Sequence, residues 1–176
     1  RSPQDLIQPN DFIGVAEETG LIVEIGAWVV MQVARDLADA LAAGAIAIDT
    51  ETMGLITARD RLCVVQISDG NGDEHLVRFA NGSAYDAPNL KAVLADPARV
   101  KIYHFARFDL AAIEHYLGVV AAPVFCTKIA SKMTRTYTDR HGLKMIVEEL
   151  LGESLPKVQQ SSDWGAPALN DAQREY

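Results

Sequence analysis

A change of hydrophobic period at Gly44 limits the folds open to this chain more than any other feature. From residue 11 to about residue 43, apolar residues recur at helical spacing, interrupted by Gly20 and Gly26. After Gly44 the period becomes two in AIAIDTETMGL, RLCVVQISDG and EHLVRFA, with a turn at Asp69-Gly-Asn-Gly. We therefore expect two short helices or one broken helix, followed by three strands in a meander.

Helical and extended patterns alternate through the rest of the chain. A helix is predicted after the loop NGSAYDAP, then a buried strand VKIYHF, a helix FDLAAIEHYLG and a strand PVFCT, before a mainly helical tail. Three strands followed by alternating helices and strands indicate a mixed-sheet α/β domain, which we assign to residues 37–176. Residues 1–36 form a separate helical segment in this assignment.

The amino-acid composition limits the kinds of molecule that the chain is expected to bind. The chain has 16 Lys and Arg against 24 Asp and Glu, a formal net charge of −8, which argues against nonspecific attraction to nucleic acid or anionic membrane. Its longest apolar stretches are interrupted before they reach the length of a membrane span, so we expect no membrane partner. Cys63 and Cys126 lie in apolar runs, as reduced thiols of a cytoplasmic protein do.

The first candidate site lies at the end of the first predicted strand. In AIAIDTET the side chains of Asp49 and Glu51 share one face, since residues two apart in a strand point the same way. Two neighbouring carboxylates repel one another unless a cation lies between them, and hard divalent ions prefer oxygen ligands. The alternative is a strand that simply runs out into a polar loop.

The second candidate site lies at the next junction of strand and helix. An apolar strand ends at His104, and Asp109 opens the following helix, where the helix dipole favours an acid. A helix-start acid and a structural histidine would explain each residue separately. The ordered combination of Asp-x-Glu, a meander and His-x-x-x-x-Asp instead suggests that both sites meet at adjacent strand ends.

These blocks resemble the ribonuclease D branch of the DEDD 3′-to-5′ exonucleases. IDTETMGL is similar to the first exonuclease motif, HFARFDL to the second, and GLKMIVEELLG with SSDWGAPALNDAQREY to the approach to a third motif, Tyr-x-x-x-Asp. The resemblance implies a ribonuclease H-like fold and two Mg²⁺ or Mn²⁺ ions. It assigns Asp49, Glu51 and Asp109 as metal-binding catalytic carboxylates, and Tyr176 as the catalytic residue that positions the attacking water.

The resemblance also implies a substrate and its contacts. We expect single-stranded RNA 3′ ends, with DNA left open, in the maturation of tRNA or other stable RNA. The motif's fourth carboxylate would follow Tyr176, where the sequence ends, so we expect impaired turnover. Lys128, Lys132 and Arg135 lie at helix-face spacing, which suits contact with a phosphate backbone and equally a solvated helix face. For Phe105 and Phe108 we favour core packing over stacking on a base. The candidate substrate-binding residues are Thr52, Met53, Leu55, His104, Phe108, Lys128, Lys132 and Arg135.

The N-terminal segment carries a different resemblance. Residues 9–34, PNDFIGVAEETGLIVEIGAWVVMQVA, resemble a stretch of EAL domains, the cyclic-di-GMP phosphodiesterases, but the Glu-Ala-Leu triplet is absent. We expect this fragment to be inactive and joined to the exonuclease as in a chimera. Its apolar side chains need burial, on the exonuclease sheet edge or on a second copy in a homodimer. They are Phe12, Ile13, Leu21, Ile22, Ile25 and Trp28.

Three functional hypotheses follow. The favoured one is a metal-dependent 3′–5′ exoribonuclease domain. The alternatives are a noncatalytic module that binds nucleic acid or protein, and a cyclic-di-GMP signalling fragment. They differ in what they predict: metal-dependent shortening of oligonucleotides, metal-independent binding, or binding of a cyclic dinucleotide.

Overall fold

The computed structural model describes residues 9–42, 44–72, 74–155 and 162–174. The chain begins with two helices, α1 (Pro9–Thr19) and α2 (Leu21–Ala42). They are separated at Gly20, whose φ of 76° is readily adopted only by glycine. The prediction of two helices is confirmed, whereas Gly26 lies inside α2 and does not interrupt it.

A five-stranded mixed sheet forms the centre of the fold, in the order β3-β2-β1-β4-β5. The first three strands pair antiparallel as the predicted meander, and β1–β4 and β4–β5 pair parallel. Along the chain, α3 lies between β3 and β4, and α4 lies between β4 and β5. The remaining bounds are β1 (Ile46–Thr52), β2 (Leu62–Ser68), β3 (Glu74–Arg78), α3 (Pro88–Ala95), β4 (Lys101–Tyr103), α4 (Arg107–Leu117), β5 (Val124–Cys126), α5 (Thr127–Thr134), α6 (Leu143–Leu151) and α7 (Asp171–Arg174).

The main core lies between one face of the sheet and helices α3 and α4. Ile46 and Ile48 of β1 contribute to it, since alternate β1 residues are buried while Ala47 and Asp49 face the other way. Leu94 of α3 and Ile113 of α4 are fully buried against them. The core therefore anchors β1 and α4, the two elements that carry the candidate carboxylates.

The opposite face of the sheet is covered in part by the segment 162–174. Trp164 and Leu169 are buried against Cys63 and Val64 of β2. Arg61 ties this segment to the sheet, because its Nη1 donates to the Phe79 carbonyl (2.9 Å) and its Nη2 to the Gly165 carbonyl (3.1 Å). The approach to the third motif is therefore held on the sheet face.

A buried lysine joins the two loops that precede β4 and β5. The Nζ of Lys101 donates to the carbonyls of Asp96 and Ala122, the latter at 2.8 Å, and burial lowers the pKa of the amine. Lys101 is inaccessible to solvent. Its role is therefore to fix the chain on either side of the β4–β5 pair.

The N-terminal helices pack chiefly on each other and on α5. Ile13, Leu21 and Trp28 remain 38%, 49% and 64% exposed. The main contact of α2 outside α1 is with α5, and not with the sheet edge, which was one of the two partners that we expected. The boundary expected at residues 36 and 37 falls inside α2, which continues without a break to Ala42. Within the described ranges, no helix combines the length and apolar character that crossing a membrane requires.

Candidate active site

Strand β1 presents Asp49 and Glu51 from one face, as the alternation predicted. The buried residues Ile46, Ile48 and Thr50 occupy its other face. The pairing of β1 with β2 shifts between Glu51 and Thr52, so the strand is irregular where it leaves the sheet. The acid pair consequently lies at the end of a strand that is otherwise held by the core.

Asp109 meets this strand from the first turn of α4. Its side chain is only 3% exposed, and its Oδ1 accepts hydrogen bonds from the Thr50 backbone N–H (3.1 Å) and the Thr50 hydroxyl (2.7 Å). Both bonds reach the same oxygen, so neither occupies Oδ2. Thr50, which lies between the two acids of the first motif, thereby joins the first motif to the second.

The three carboxylates influence one another electrostatically. Burial, followed by the charges of Asp49 and Asp109, raises the pKa of Glu51 to about 8. Burial raises the pKa of Asp109 to about 7, opposed by the Thr50 hydroxyl and assisted by Asp49. Burial also raises the pKa of Asp49, opposed by the backbone of Thr50. Without a cation, the site therefore favours protonated carboxyl groups over three neighbouring negative charges.

This donor set suits a divalent cation. Carboxylate oxygens are the ligands that Mg²⁺ and Mn²⁺ prefer, and a cation would relieve the mutual repulsion of Asp49, Glu51 and Asp109. In the described parts of the chain, no three His, Cys, Asp or Glu side chains already close around one point as a metal-binding group. The chemistry of the residues fits a metal, and their side chains would have to converge on it.

The junction between β4 and α4 presents an aromatic and a basic side chain. Phe105 has a φ of 67°, is 49% exposed, and lies under the Lys128 Nζ at 4.1 Å from the ring centroid. Such a left-handed conformation is strained for a residue with a Cβ and is concentrated at functional sites. The expectation that Phe105 belongs to the core is wrong. Phe108, in contrast, is half-buried.

His104 has a defined hydrogen-bond partner at this junction. The Thr127 hydroxyl donates to the Tyr103 carbonyl (3.1 Å), so His104 Nδ1, 2.9 Å from the same oxygen, is the donor to Thr127. Burial and then Lys128 lower the pKa of His104, which favours the neutral ring. In this tautomer Nε2 is an acceptor.

The loop after β1 carries an exposed apolar tip on a rigid base. Met53 and Leu55 are 52% and 83% exposed. At the base, Asp60 is buried and its Oδ2 accepts the Ile56 backbone N–H at 2.9 Å. A Cβ on Gly54 would lie 2.4 Å from that oxygen, so only glycine fits there. Thr52 also braces the loop by donating its hydroxyl to the Gly54 carbonyl.

The basic residues predicted on α5 divide into two kinds. Lys132 is exposed and borders a shallow depression together with Thr136, Thr138, Asp139 and His141. Arg135 is 4% exposed, donates to the Ser131 hydroxyl and the Arg140 carbonyl, and forms an ion pair with Glu149 of α6. Arg135 therefore joins α5 to α6, and the predicted row of three solvent-facing cations is not formed.

One predicted site residue lies outside the described part of the chain, and two residues that shape the site were not predicted. Tyr176, predicted to position the attacking water, lies outside the described residues. The roles of Thr50 and Asp60 were missed, although Thr50 sits inside the first motif and its inward-facing position follows from the strand alternation. No sequence signal pairs Asp60 with Gly54, because that contact depends on the path of the loop.

Comparison with known proteins agrees with this geometry. The family described as 3′-5′ exonuclease matches residues 31–176. Ribonuclease D of Acidiphilium cryptum is 36% identical over 141 residues, which cover 80% of this chain and 35% of the relative. The chain thus spans about a third of that relative's length.

Solved structures agree as well. A structure described as the apo form of the nuclease is 57% identical, with a TM-score of 0.73, over 81% of this chain and 68% of that one. Brucella melitensis NrnC has been solved with bound Mg²⁺ (55% identity, TM-score 0.71, 78% and 66% covered) and bound to pGG (56%, 0.72, 78% and 66%).

These matches leave the resemblance of residues 9–34 to EAL domains without support. The fold is the expected ribonuclease H-like one, and a divalent metal requirement is general to the family that matches. Three carboxylates on β1 and α4, a matching family over most of the sequence and close structural relatives lead to one assignment. The chain belongs to the 3′-5′ exonuclease family, as a member similar to ribonuclease D.

Proposed function

We propose that this chain hydrolyses RNA from the 3′ end, releasing mononucleotides one at a time in a metal-dependent reaction. The observation that carries the proposal is the placement of Asp49, Glu51 and Asp109 at the end of β1, where burial raises the pKa of each and the charge of Asp49 raises it further for Glu51 and Asp109. Catalytic carboxylates with perturbed pKa values are typical of active sites. Tyr176 is included in the proposal as the residue that orients the attacking water.

Two Mg²⁺ or Mn²⁺ ions are the proposed cofactors, held by Asp49, Glu51 and Asp109. Such ions activate water and stabilise the leaving 3′ oxygen of a phosphodiester. Thr50 holds Asp109 through two hydrogen bonds to Oδ1, which leaves Oδ2 available for a ligand. The buried side of the site lies on the main core, which limits the positions that the carboxylates can take.

The exposed side chains around the acids suggest how an RNA end is held. We assign the apolar tip at Met53 and Leu55 to contact with the terminal bases, since single-strand binders use such surfaces. The Phe105 ring suits stacking on a base, and the Lys128 ammonium group over that ring suits a backbone phosphate. We include Thr52, His104, Phe108 and Lys132 among the proposed substrate contacts.

Short single-stranded RNA is the substrate class that we favour. The NrnC relative bound to pGG supports recognition of very short RNA, and the ribonuclease D relative supports an RNA substrate, for which we propose the 3′ ends of tRNA and other stable RNAs. DNA remains an outcome of the test, because no side chain here is assigned to a 2′-hydroxyl. A cytoplasmic location, with Cys63 and Cys126 as free thiols, is part of the proposal.

A cleavage assay with labelled oligonucleotides tests the function. RNA, DNA and pGG are incubated with Mn²⁺ and the chain, alone and with a C-terminal extension that places an aspartate four residues after Tyr176. We expect a ladder from 5′-labelled RNA that disappears in Asp49→Ala, with pGG converted to mononucleotides. Binding of RNA without metal-dependent cleavage by either version would contradict the proposal and favour the noncatalytic module.

We also propose that the N-terminal helices pair two copies of the chain. Leu21 and Trp28 of α2 lie on one helix face, two turns apart, and are 49% and 64% exposed, an apolar surface that a second copy would bury. Light scattering of the purified chain and of Trp28→Lys tests this. A dimer that becomes monomeric in the variant is expected, and a monomeric parent chain would contradict the proposal.

A further inference from the structure

Gln66 carries a buried donor with nothing to donate to. Its Nε2 is inaccessible to solvent and has no hydrogen-bond partner among the residues that the structure describes. A buried donor left unsatisfied costs about 1–3 kcal/mol, so a residue of this kind calls for a physical explanation. An acceptor that arrives or turns inward only in another state of the site would supply one.

The pairing of the strands places Gln66 beside the acids. Gln66 of β2 lies directly opposite Asp49 of β1, and on its other side it lies opposite Leu76 of β3. Residues paired across antiparallel strands share a sheet face, with Cβ atoms roughly 5 Å apart. The side chain of Leu76 has no hydrogen-bond acceptor. Of the two cross-strand neighbours of Gln66, only Asp49 therefore has a side chain that can accept from its Nε2.

The carboxylates of Asp109 and Asp49 differ in the hydrogen bonds that orient them. Asp109 receives two hydrogen bonds from Thr50, which orient its carboxylate. For Asp49, no side chain in the described ranges donates a hydrogen bond, although Gln66 is its direct cross-strand neighbour. Carboxylates that bind metals are generally oriented by hydrogen bonds from a surrounding shell, and losing such a bond costs 10- to 100-fold in metal affinity.

We propose that Gln66 is a positioning residue for Asp49, donating from Nε2 to that carboxylate when the site takes up its metal. It does for Asp49 what Thr50 does for Asp109. The inference rests on the proposed function, because it assigns Asp49 as a metal ligand. Gln66 itself touches neither metal nor RNA in this role.

Metal binding by three variants tests the assignment. Mn²⁺ binding to the purified chain is measured by calorimetry, and unfolding in chelator is measured in parallel. Gln66→Leu and Gln66→Met both remove the donor and keep a side chain of similar size, the second without branching. Ser83→Ala is the matched control, since Ser83 Oγ is likewise buried without a partner in the described chain but lies in the loop before α3.

We expect Mn²⁺ binding about 10-fold weaker in both Gln66→Leu and Gln66→Met, with Ser83→Ala unchanged. In chelator, Gln66→Leu should be as stable as the parent or more stable, because it removes an unsatisfied donor. Parent-like Mn²⁺ binding in Gln66→Leu would overturn the inference, as would an equal loss of stability with and without metal. If the parent binds Mn²⁺ no better than Asp49→Asn, the proposed function itself fails.

Discussion

Replacing Asp109 by asparagine should make the metal-free protein more stable. Asp109 is 3% exposed, and its Oδ1 accepts two hydrogen bonds from Thr50. An asparagine Oδ1 can accept the same two bonds, so the substitution removes the charge and keeps the contacts. What it eliminates is the cost of holding an ionised carboxylate in a buried site beside Asp49.

The size of the gain follows from the pKa of Asp109. Its ordinary value is 3.8, and burial raises it to about 7 in the folded protein. Because the folded state holds the proton more tightly than the unfolded chain, stability falls as the pH rises from about 4 to about 7. At about pH 8 the full cost is roughly 4 kcal/mol, and at about pH 5 it is between 1 and 2 kcal/mol.

The assay is urea unfolding of the parent and of Asp109→Asn in chelator, at about pH 5 and about pH 8. The gain at the higher pH corresponds to a rise in melting temperature of ~10 °C for a chain of this length. Asp86→Asn, at an exposed position in the loop before α3, is the matched control and should be neutral. A gain equal at both pH values, or no gain at about pH 8, would refute the reasoning.

Three further predictions concern metal uptake, the strained junction and the basic helix. Mn²⁺ binding should strengthen as the pH rises through about 7 to 8, because Asp109 and Glu51 must lose protons to bind the ion. Calorimetry in two buffers of different ionisation enthalpy detects the released protons. An affinity for Mn²⁺ that does not change with pH would contradict the prediction. Phe105→Gly should be about 1 kcal/mol more stable than Phe105→Ala in urea unfolding, because only glycine tolerates the φ of 67° without strain. Both substitutions should raise the KM for RNA. Equal stabilities of the two variants would argue against strain at this position. Lys132→Ala should weaken RNA binding at low salt and leave stability unchanged. Arg135→Ala should destabilise the fold, since it removes the hydrogen bonds that Arg135 donates to the Ser131 hydroxyl and the Arg140 carbonyl and its ion pair with Glu149. The reverse pattern, by filter binding and urea unfolding, would count against the division of roles.

Local periodicity was enough to predict most of the helices and strands and the two segments of the chain that carry the candidate carboxylates. The alternation in AIAIDTET placed Asp49 and Glu51 on one face because a strand repeats every two residues, whatever it pairs with. His104 and Asp109 were similarly located at the next junction of strand and helix. These are properties of short stretches of chain, which is why sequence patterns report them.

Contacts between distant segments were decided only by the tertiary structure. Thr50 bonds to Asp109 across 59 residues, Gln66 faces Asp49 through the register of β1 and β2, and Arg135 turns inward to Glu149. Helical spacing put Arg135 in a row with Lys132, but spacing along one helix does not determine which face a neighbouring helix covers. The sequence by itself determined the elements and the acids; the packing of α4, α5 and α6 decided which polar groups are desolvated and what they bind.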